Sequence, residues 1–447
     1  MSLPLQTGVL GKEKLSEDAL LAGGIKSEPW DLPDSSAPIS LQYANKVSEE
    51  DILKTINHNY LIFNGSSEPK ATESIPLDSF VLADNFYGLN KLTDDYKGKV
   101  KLIYLDPPYG TGMEFQSRSL EHAYKDIYGT ASWVEMMRRR LILMRELMAS
   151  DGTIYVHIGH QMLFHLKVIM DEVFGPDNFR NLITRRKCSS KNSTRKQYPN
   201  LHDYVLFYSK SSKWLFNQPG VPAPKEWIEK EYPKQDERGR YKLVPIHAPG
   251  VRNGETSTEW RGMMPPPGKH WQFKPSRLEE FDQNGEMHWS KTGNPRRKVY
   301  LEENKKVPIT DLWDQYRDAH HQSKMITGYP TEKNLDMLKM IVEASTNEGD
   351  IVLDPFCGSG TTIHAARDLN RHWLGIDQSF TAAHASVKRM KHGLEKMGDY
   401  VNSNKSSKQN ELPLGSDENK VEIGFNLVVD ADVYEHYQDL VQEIAKI

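Results

Sequence analysis

Residues 350–362 read DIVLDPFCGSGTT, and the fold is decided there. A buried apolar run stops at an acid, a loop with glycines at 358 and 360 follows, and a helix-forming segment begins. Glycines between a strand and a helix let the backbone approach a ligand, and the next helix N-terminus offers free N–H groups to it. HWLGID (372–377) reads as the next strand and ends in Asp377, about 20 residues on, where an acid can accept from ribose hydroxyls. Ile363 stands where a dinucleotide fingerprint needs its third glycine, so a nucleoside ligand without a pyrophosphate fits better.

The texture around this loop alternates. FVLAD (80–84), VKLIYLDPPYG (100–110) and TIYVHI (153–158) read as strands; NFYGLNKLTDDY (85–96), TASWVEMMRRRLILMRELMASDG (130–152, stopped by Gly152) and QMLFHLKVIMDEVFG (161–175) read as helices. EKNLDMLKMIVEAST (332–346) and TTIHAARDL (361–369) add two more helices. Such alternation predicts an α/β fold with a Rossmann-like, doubly wound, mostly parallel sheet. Residues 215–310 differ, being rich in Pro, Gly, Trp and charge, and are expected to form an inserted, β-leaning lobe. The expected organisation is a loose N-terminal arm (1–42), an α/β half (43–214), the inserted lobe (215–310), a second α/β half (311–395), and a linker with a small α/β addition (396–447).

A second motif lies at the end of its strand. Asp106, Pro107, Pro108 and Tyr109 fall on the sheet edge where open α/β folds bind ligands. An exocyclic base amine is a poor nucleophile because its lone pair is delocalised into the ring. Two acceptors that take both of its N–H bonds free that pair, and a carboxylate with a proline-directed carbonyl can do so. Tyr109 offers a π face for a flipped base.

With both motifs quoted, the chain resembles the S-adenosylmethionine-dependent DNA amino-methyltransferases over residues 80–210 and 310–392. DPPY precedes DPFCGSG, a circularly permuted order similar to the group beta enzymes, which include the modification subunits of type III restriction systems. The resemblance implies a cofactor site at Asp354, Phe356, Gly358, Gly360 and Asp377, with Asp84 near the adenine. It gives Thr331 and Lys333 of GYPTEKN the methionine end, Asn334 standing where the family usually has Pro and Cys357 where it often has a small residue. It makes residues 215–310 the target-recognition lobe. Asp at the head of DPPY is typical of adenine-N6 enzymes; cytosine-N4 methylation, RNA methylation and a non-catalytic DNA-binding subunit are the alternatives, in that order. Double-stranded DNA is the implied partner, with a homodimer and a restriction or other defence-system subunit as further expectations.

Composition sets the remaining bounds. The 447 residues carry a formal charge of −4, which argues against a globally basic binder but not against a local patch. Residues 180–213 hold nine Lys or Arg against one acid, Asp203, a local charge of +8 interleaved with Tyr198, Tyr204, Phe207 and Tyr208. Arg185, Arg186, Lys187, Lys191, Arg195 and Lys196 are therefore the expected phosphate contacts. Arg138, Arg139 and Arg140 read as a solvated helix face. Two cysteines, Cys188 and Cys357, exclude a disulfide scaffold, and no His or Cys spacing suggests a metal. Mean hydropathy is −0.65, with no membrane-length apolar run and no secretory leader, so a bacterial or phage-type cytoplasmic, nucleoid-associated protein is expected.

Overall fold

The computed structural model describes residues 39–63, 68–110, 114–116, 122–125, 129–188, 196, 198–317, 325–326, 332–396 and 425–447. Residues 1–38 of the expected arm and 397–424 of the expected linker lie outside them.

The apolar runs collect into one eleven-stranded sheet. In chain order its strands are β1 (Tyr60–Phe63), β2 (Lys70–Thr72), β3 (Ser79–Leu82), β4 (Val100–Leu105), β5 (Met148–Ile158) and β6 (Phe179–Arg186). They continue with β7 (His202–Ser209), β8 (Leu312–Trp313), β9 (Ile351–Asp354), β10 (His372–Asp377) and β11 (Asn426–Asp430). The spatial order is β8-β6-β7-β5-β4-β9-β10-β3-β11-β1-β2. The run from β5 to β11 is parallel throughout; β7 is antiparallel to both of its neighbours, and β1 to both of its own. The C-terminal segment is thus part of the sheet, since β11 pairs with β3 and β1.

Parallel strands buried on both faces need a helical layer on each side. Alternation along β4 shows how one is built: Ile103 and Leu105 face one core, Leu102 and Tyr104 the other. The first core is covered by α1 (Asn85–Tyr96), α2 (Thr130–Leu147) and α3 (Leu163–Phe174), through Leu89, Met137, Leu141 and Ile169. The second is covered by α4 (Leu335–Ser345), α5 (Thr361–Asp368), α6 (Phe380–His392) and α7 (Gln438–Lys446), through Met337, Ile341, Ile363, Val387 and Val441. Each fully buried Leu or Ile of these layers contributes roughly 1.5–3 kcal/mol.

Boundaries follow local chemistry. Asp84 caps α1 by accepting from Phe86 N, Asn334 caps α4 by accepting from Met337 N, and Gly175 closes α3 at φ +86°. The side chain that departs from the family's proline at 334 is therefore a helix cap. The long helix ends earlier than its sequence suggests: α2 stops at Leu147, and residues 148–152 belong to β5. Pairing with β4 captures them, and a Cβ at Gly152 would lie 2.9 Å from the Val100 carbonyl.

Between β7 and β8 the chain leaves the main sheet. Its strands Lys234–Asp236, Gly239–Pro245, Met287–Trp289 and Pro295–Tyr300 form a separate antiparallel sheet. With helix Pro275–Gln283 goes a separate core of Ile246, Trp260, Trp271, Leu278, Phe281 and Met287. Trp260 stacks on Trp289 and Arg261 pairs with Glu279, contacts that hold this core together.

Candidate active site

The order of strands places a crevice. From β9 the chain steps to β10 on one side, and from β4 to β5 on the other, so the connections diverge between β4 and β9. Ligands bind outside the carboxyl ends of strands at such a point. Asp106 follows β4, Asp354 ends β9 and Asp377 ends β10.

The glycine loop is held from below. Cys357 N donates to Ile376 O, and a Cβ on Gly375 would lie 2.8 Å from the Cys357 sulfur, so the thiol fills the hollow under the loop. Gly358 and Gly360 sit at φ +52° and +74°, and a Cβ at 360 would lie 2.8 Å from Ser386 Oγ. Only glycine meets both demands cheaply. Asp377 accepts from Gly358 N and from Ser379 N, one per oxygen, both at 2.9 Å. Each carboxylate oxygen keeps a further lone pair for a ligand. Burial pushes the Asp377 carboxyl up, and pushes that of Asp354 to about 7 against hydrogen bonds from Thr362 and Phe356 N. Arg140 joins Asp84 and Asn85, and Asn85 donates to Pro355 O at 2.7 Å, tying the start of α1 to the glycine loop.

Across the crevice the DPPY segment is anchored by the indole of Trp133, which donates to Pro108 O at 2.7 Å. Among the described residues no hydrogen bond is made to the Pro107 carbonyl. Tyr109 donates its hydroxyl to Asp106 Oδ1 at 2.8 Å, and the Lys333 ammonium bonds Asp106 Oδ2. Asp106 and Lys333 thus meet from positions 227 residues apart.

Behind Asp106 lies a buried polar row that sequence reasoning missed. Arg185 on β6 bonds Asp203 on β7 at 2.9 Å, and Asp203 Oδ2 is 3.1 Å from His157 Nε2 on β5. His157 Nδ1 is 2.9 Å from the Tyr104 hydroxyl on β4 and 4.0 Å from Asp106 Oδ1. Burial alone would raise the Asp203 carboxyl; the His157 ring and the Arg185 guanidinium outweigh it and hold it well below the usual carboxylate range. The signal was present in the alternation of TIYVHI, which points His157 to the same face as Tyr155.

Several sequence expectations need correction. Arg185 is fully buried with its guanidinium committed to Asp203 and the Tyr316 carbonyl, so it does not reach a phosphate. Tyr208 and Phe207 are core residues, because β7 lies inside the sheet and is covered on both faces. Arg138 and Arg140 are not a solvated face: both are buried, Arg138 on Glu172 and Arg140 on Asp84, while Arg139 alone of the three is half-exposed. Arg186 and Lys187 are half-buried and Lys196 is exposed. Thr331, Lys191 and Arg195 lie outside the described residues. One trio of potential metal ligands occurs among the described residues, His58, Asp430 and Asp432, in which Asp430 already caps a helix. No helix of the described residues is long and apolar enough to cross a membrane.

Comparison with known proteins adds to this geometry. Residues 100–388 match the family model described as DNA methylase. Type II methyltransferase M.EcaI of Enterobacter cloacae is 54% identical over 424 residues, 92% of this chain and 93% of that protein. The Mod subunit of the type III restriction–modification enzyme StyLTI of Salmonella typhimurium is 28% identical over 373 residues, 74% of this chain and 55% of that one. Among solved structures, PvuII DNA methyltransferase (cytosine-N4-specific) aligns with a TM-score of 0.38 at 13% identity, over 74% of this chain and 89% of that one.

Proposed function

Because this chain belongs to the DNA methylase family, its reaction is methyl transfer to DNA, and we propose that it moves the methyl group of S-adenosylmethionine to N6 of an adenine flipped out of the duplex. One observation carries this reading: the Asp106 carboxylate and the Pro107 carbonyl, which accepts no hydrogen bond among the described residues, stand at the end of β4, across the crevice from the glycine loop.

The cofactor is a cation with a ribose diol, and the residues present suit it. The half-buried Asp377 offers acceptors to the diol, and the buried Asp354 lies beside it, around a cradle that a Cβ would fill. Asp377 is assigned the ribose; Asp354, Phe356, Gly358 and Gly360 line the cradle. Asp84 is assigned the adenine, and Thr331 and Lys333 the methionine end. When bound, S-adenosylmethionine supplies an electrophilic methyl group on sulfur.

The chain's own work is positioning and electrostatics. Flipping the base costs a few kcal/mol, part of which stacking on Tyr109 returns. Asp106 and the Pro107 carbonyl take the two N–H bonds of the amine, with Pro108 fixing the loop, and turn its lone pair towards the methyl group. Tyr109 and Lys333 each take one oxygen of Asp106, so the amine N–H uses a remaining lone pair of that carboxylate. Arg186, Lys187 and Lys196, with Lys191 and Arg195, are assigned the phosphate contacts, and residues 215–310 the reading of the target sequence. The same reading gives the chain the protective role in a restriction–modification pair.

The test is a D106A variant, assayed by calorimetry with S-adenosylmethionine and by tritiated-methyl transfer to duplex DNA. Cofactor binding persists and transfer is abolished. Transfer retained by D106A removes Asp106 from the mechanism. Transfer to RNA in preference to duplex DNA in competition refutes the proposed substrate.

A further inference from the structure

A methylated amine must lose a proton, and the carboxylate that orients it is a poor place to keep one near neutral pH, since an ordinary aspartic acid has a pKa of about 3.9. The groups around Asp106 limit where the proton can go next. Lys333 is an ammonium without a lone pair. Tyr109 already donates its hydroxyl to Asp106. His157 is the remaining base, its Nδ1 4.0 Å from Asp106 Oδ1.

The surroundings of His157 suit a ring that becomes charged. It is fully buried, Asp203 Oδ2 stands 3.1 Å from its far nitrogen, and Arg185 holds that same oxygen at 2.9 Å. Asp203 Oδ1 is buried with no hydrogen-bond partner among the described residues. Such unmet capacity in a dry site is costly unless function uses it. The charged and titratable groups on this cluster are Asp106, Tyr104 and Tyr109 from β4 and its loop, Asp203 from β7, Arg185 from β6, Lys333 ahead of α4, and Asp354 at the end of β9, whose charge acts on Asp106 and Tyr104 and whose own titration is common to all three forms.

We propose that His157, held by Asp203, takes the proton that Asp106 draws from the methylated amine, which makes it a positioning residue acting through Asp106. This rests on the amino-methyltransferase reading above. In the transfer, nitrogen bonds to the methyl carbon, the carbon–sulfur bond breaks, and its electron pair stays on sulfur. As the nitrogen–carbon bond forms, the positive charge developing on nitrogen is discharged by moving one amine proton to Asp106 in the same step, which is where general-base assistance lowers the barrier. The Asp106 carboxyl passes that proton on to His157 Nδ1 as the 4.0 Å gap closes and the Tyr104 hydroxyl, 2.9 Å from the same nitrogen, turns away, restoring the carboxylate and leaving an imidazolium beside Asp203. After product leaves, the proton returns through Asp106, which is partly exposed, to water.

The experiment uses the full chain in three forms: wild type, H157N and D203N. Single-turnover methyl transfer to an adenine-containing duplex is measured across pH, with S-adenosylmethionine affinity and melting temperature read in parallel. Wild-type transfer establishes the underlying reading separately; its absence defeats that reading rather than the role of His157. H157N is expected to lose about 10²-fold in transfer rate, on the scale of one general base, with cofactor affinity within about twofold. Its acidic limb no longer follows a histidine. In D203N the acidic limb moves to lower pH, because a charged ring cannot accept a proton and Asp203 is the anion that favours the charged ring. Proton NMR of the chain without cofactor or DNA gives a readout independent of turnover: a downfield imidazole N–H resonance missing in H157N is missing in D203N too. Should H157N fail to fold, D203N alone decides through its pH limb and this resonance. Slowing of both variants with the acidic limb unmoved, or the resonance kept in D203N, overturns the proposal.

Discussion

Replacing Trp133 by phenylalanine removes one hydrogen bond and part of one ring, and both losses fall on the segment that carries Asp106. The indole N–H is 2.7 Å from the Pro108 carbonyl, and Trp133 is fully buried. Leaving that carbonyl without a partner costs about 1–3 kcal/mol. The space vacated by trimming the indole adds about 1 kcal/mol. W133F should therefore lose about 2–4 kcal/mol, a large part of a stability of roughly 5–15 kcal/mol. The functional loss is the more telling one. A Pro108 carbonyl freed from its anchor lets the Pro107 carbonyl turn, and a misplacement of about 1 Å costs on the order of 10²-fold in rate. Urea unfolding gives the stability and single-turnover transfer the rate, both at a temperature where the variant is folded. W373F is the control, since Trp373 is also buried but sits at the far end of its strand from Asp377. W133F should slow transfer while W373F slows it little. A folded W133F that transfers at the wild-type rate refutes the claim that Trp133 aims the loop.

Three further outcomes follow from the site. D377N keeps one acceptor and turns an NH2 group towards the other backbone donor, of Gly358 or Ser379, so calorimetry should show S-adenosylmethionine affinity falling more than tenfold, with a lowered melting temperature from the lost bond. Asp354 has its carboxyl raised to about 7 in the folded chain, so its contribution to stability is complete below the ordinary carboxylate pKa of about 4 and is lost as pH rises towards 7. Across that window D354N should show a flatter dependence of melting temperature on pH than wild type in scanning fluorimetry. R185M strips the buried Asp203 of its guanidinium partner, and urea unfolding should report a loss of about 3–5 kcal/mol.

What the sequence made legible was short-range. DPPY and the glycine loop each occupy a few consecutive residues at a strand end, and strand–helix alternation placed both ends on one edge of a parallel sheet. Asn334 read as a departure from a family pattern, and only its bond to Met337 N showed it to be a helix cap. The buried polar row was not legible, because Arg185, Asp203, His157 and Tyr104 come from four strands whose adjacency is set by the sheet order. A basic segment reads as surface on composition alone. Arg185 belongs inside because β6 pairs it with Asp203 on the neighbouring strand. Arg138 and Arg140 misled for the same reason: charges on a helix read as solvated until their partners, Glu172 and Asp84, are brought in from elsewhere.

The central claim is methyl transfer to adenine N6 directed by Asp106. Long-read modification mapping of DNA from a methylation-free host expressing the chain tests it most directly, with D106A expressed in parallel. The account predicts N6-methyladenine at one recurring sequence motif with the wild-type chain and none with D106A. N4-methylcytosine as the sole mark, or the same adenine marks with D106A, contradicts it.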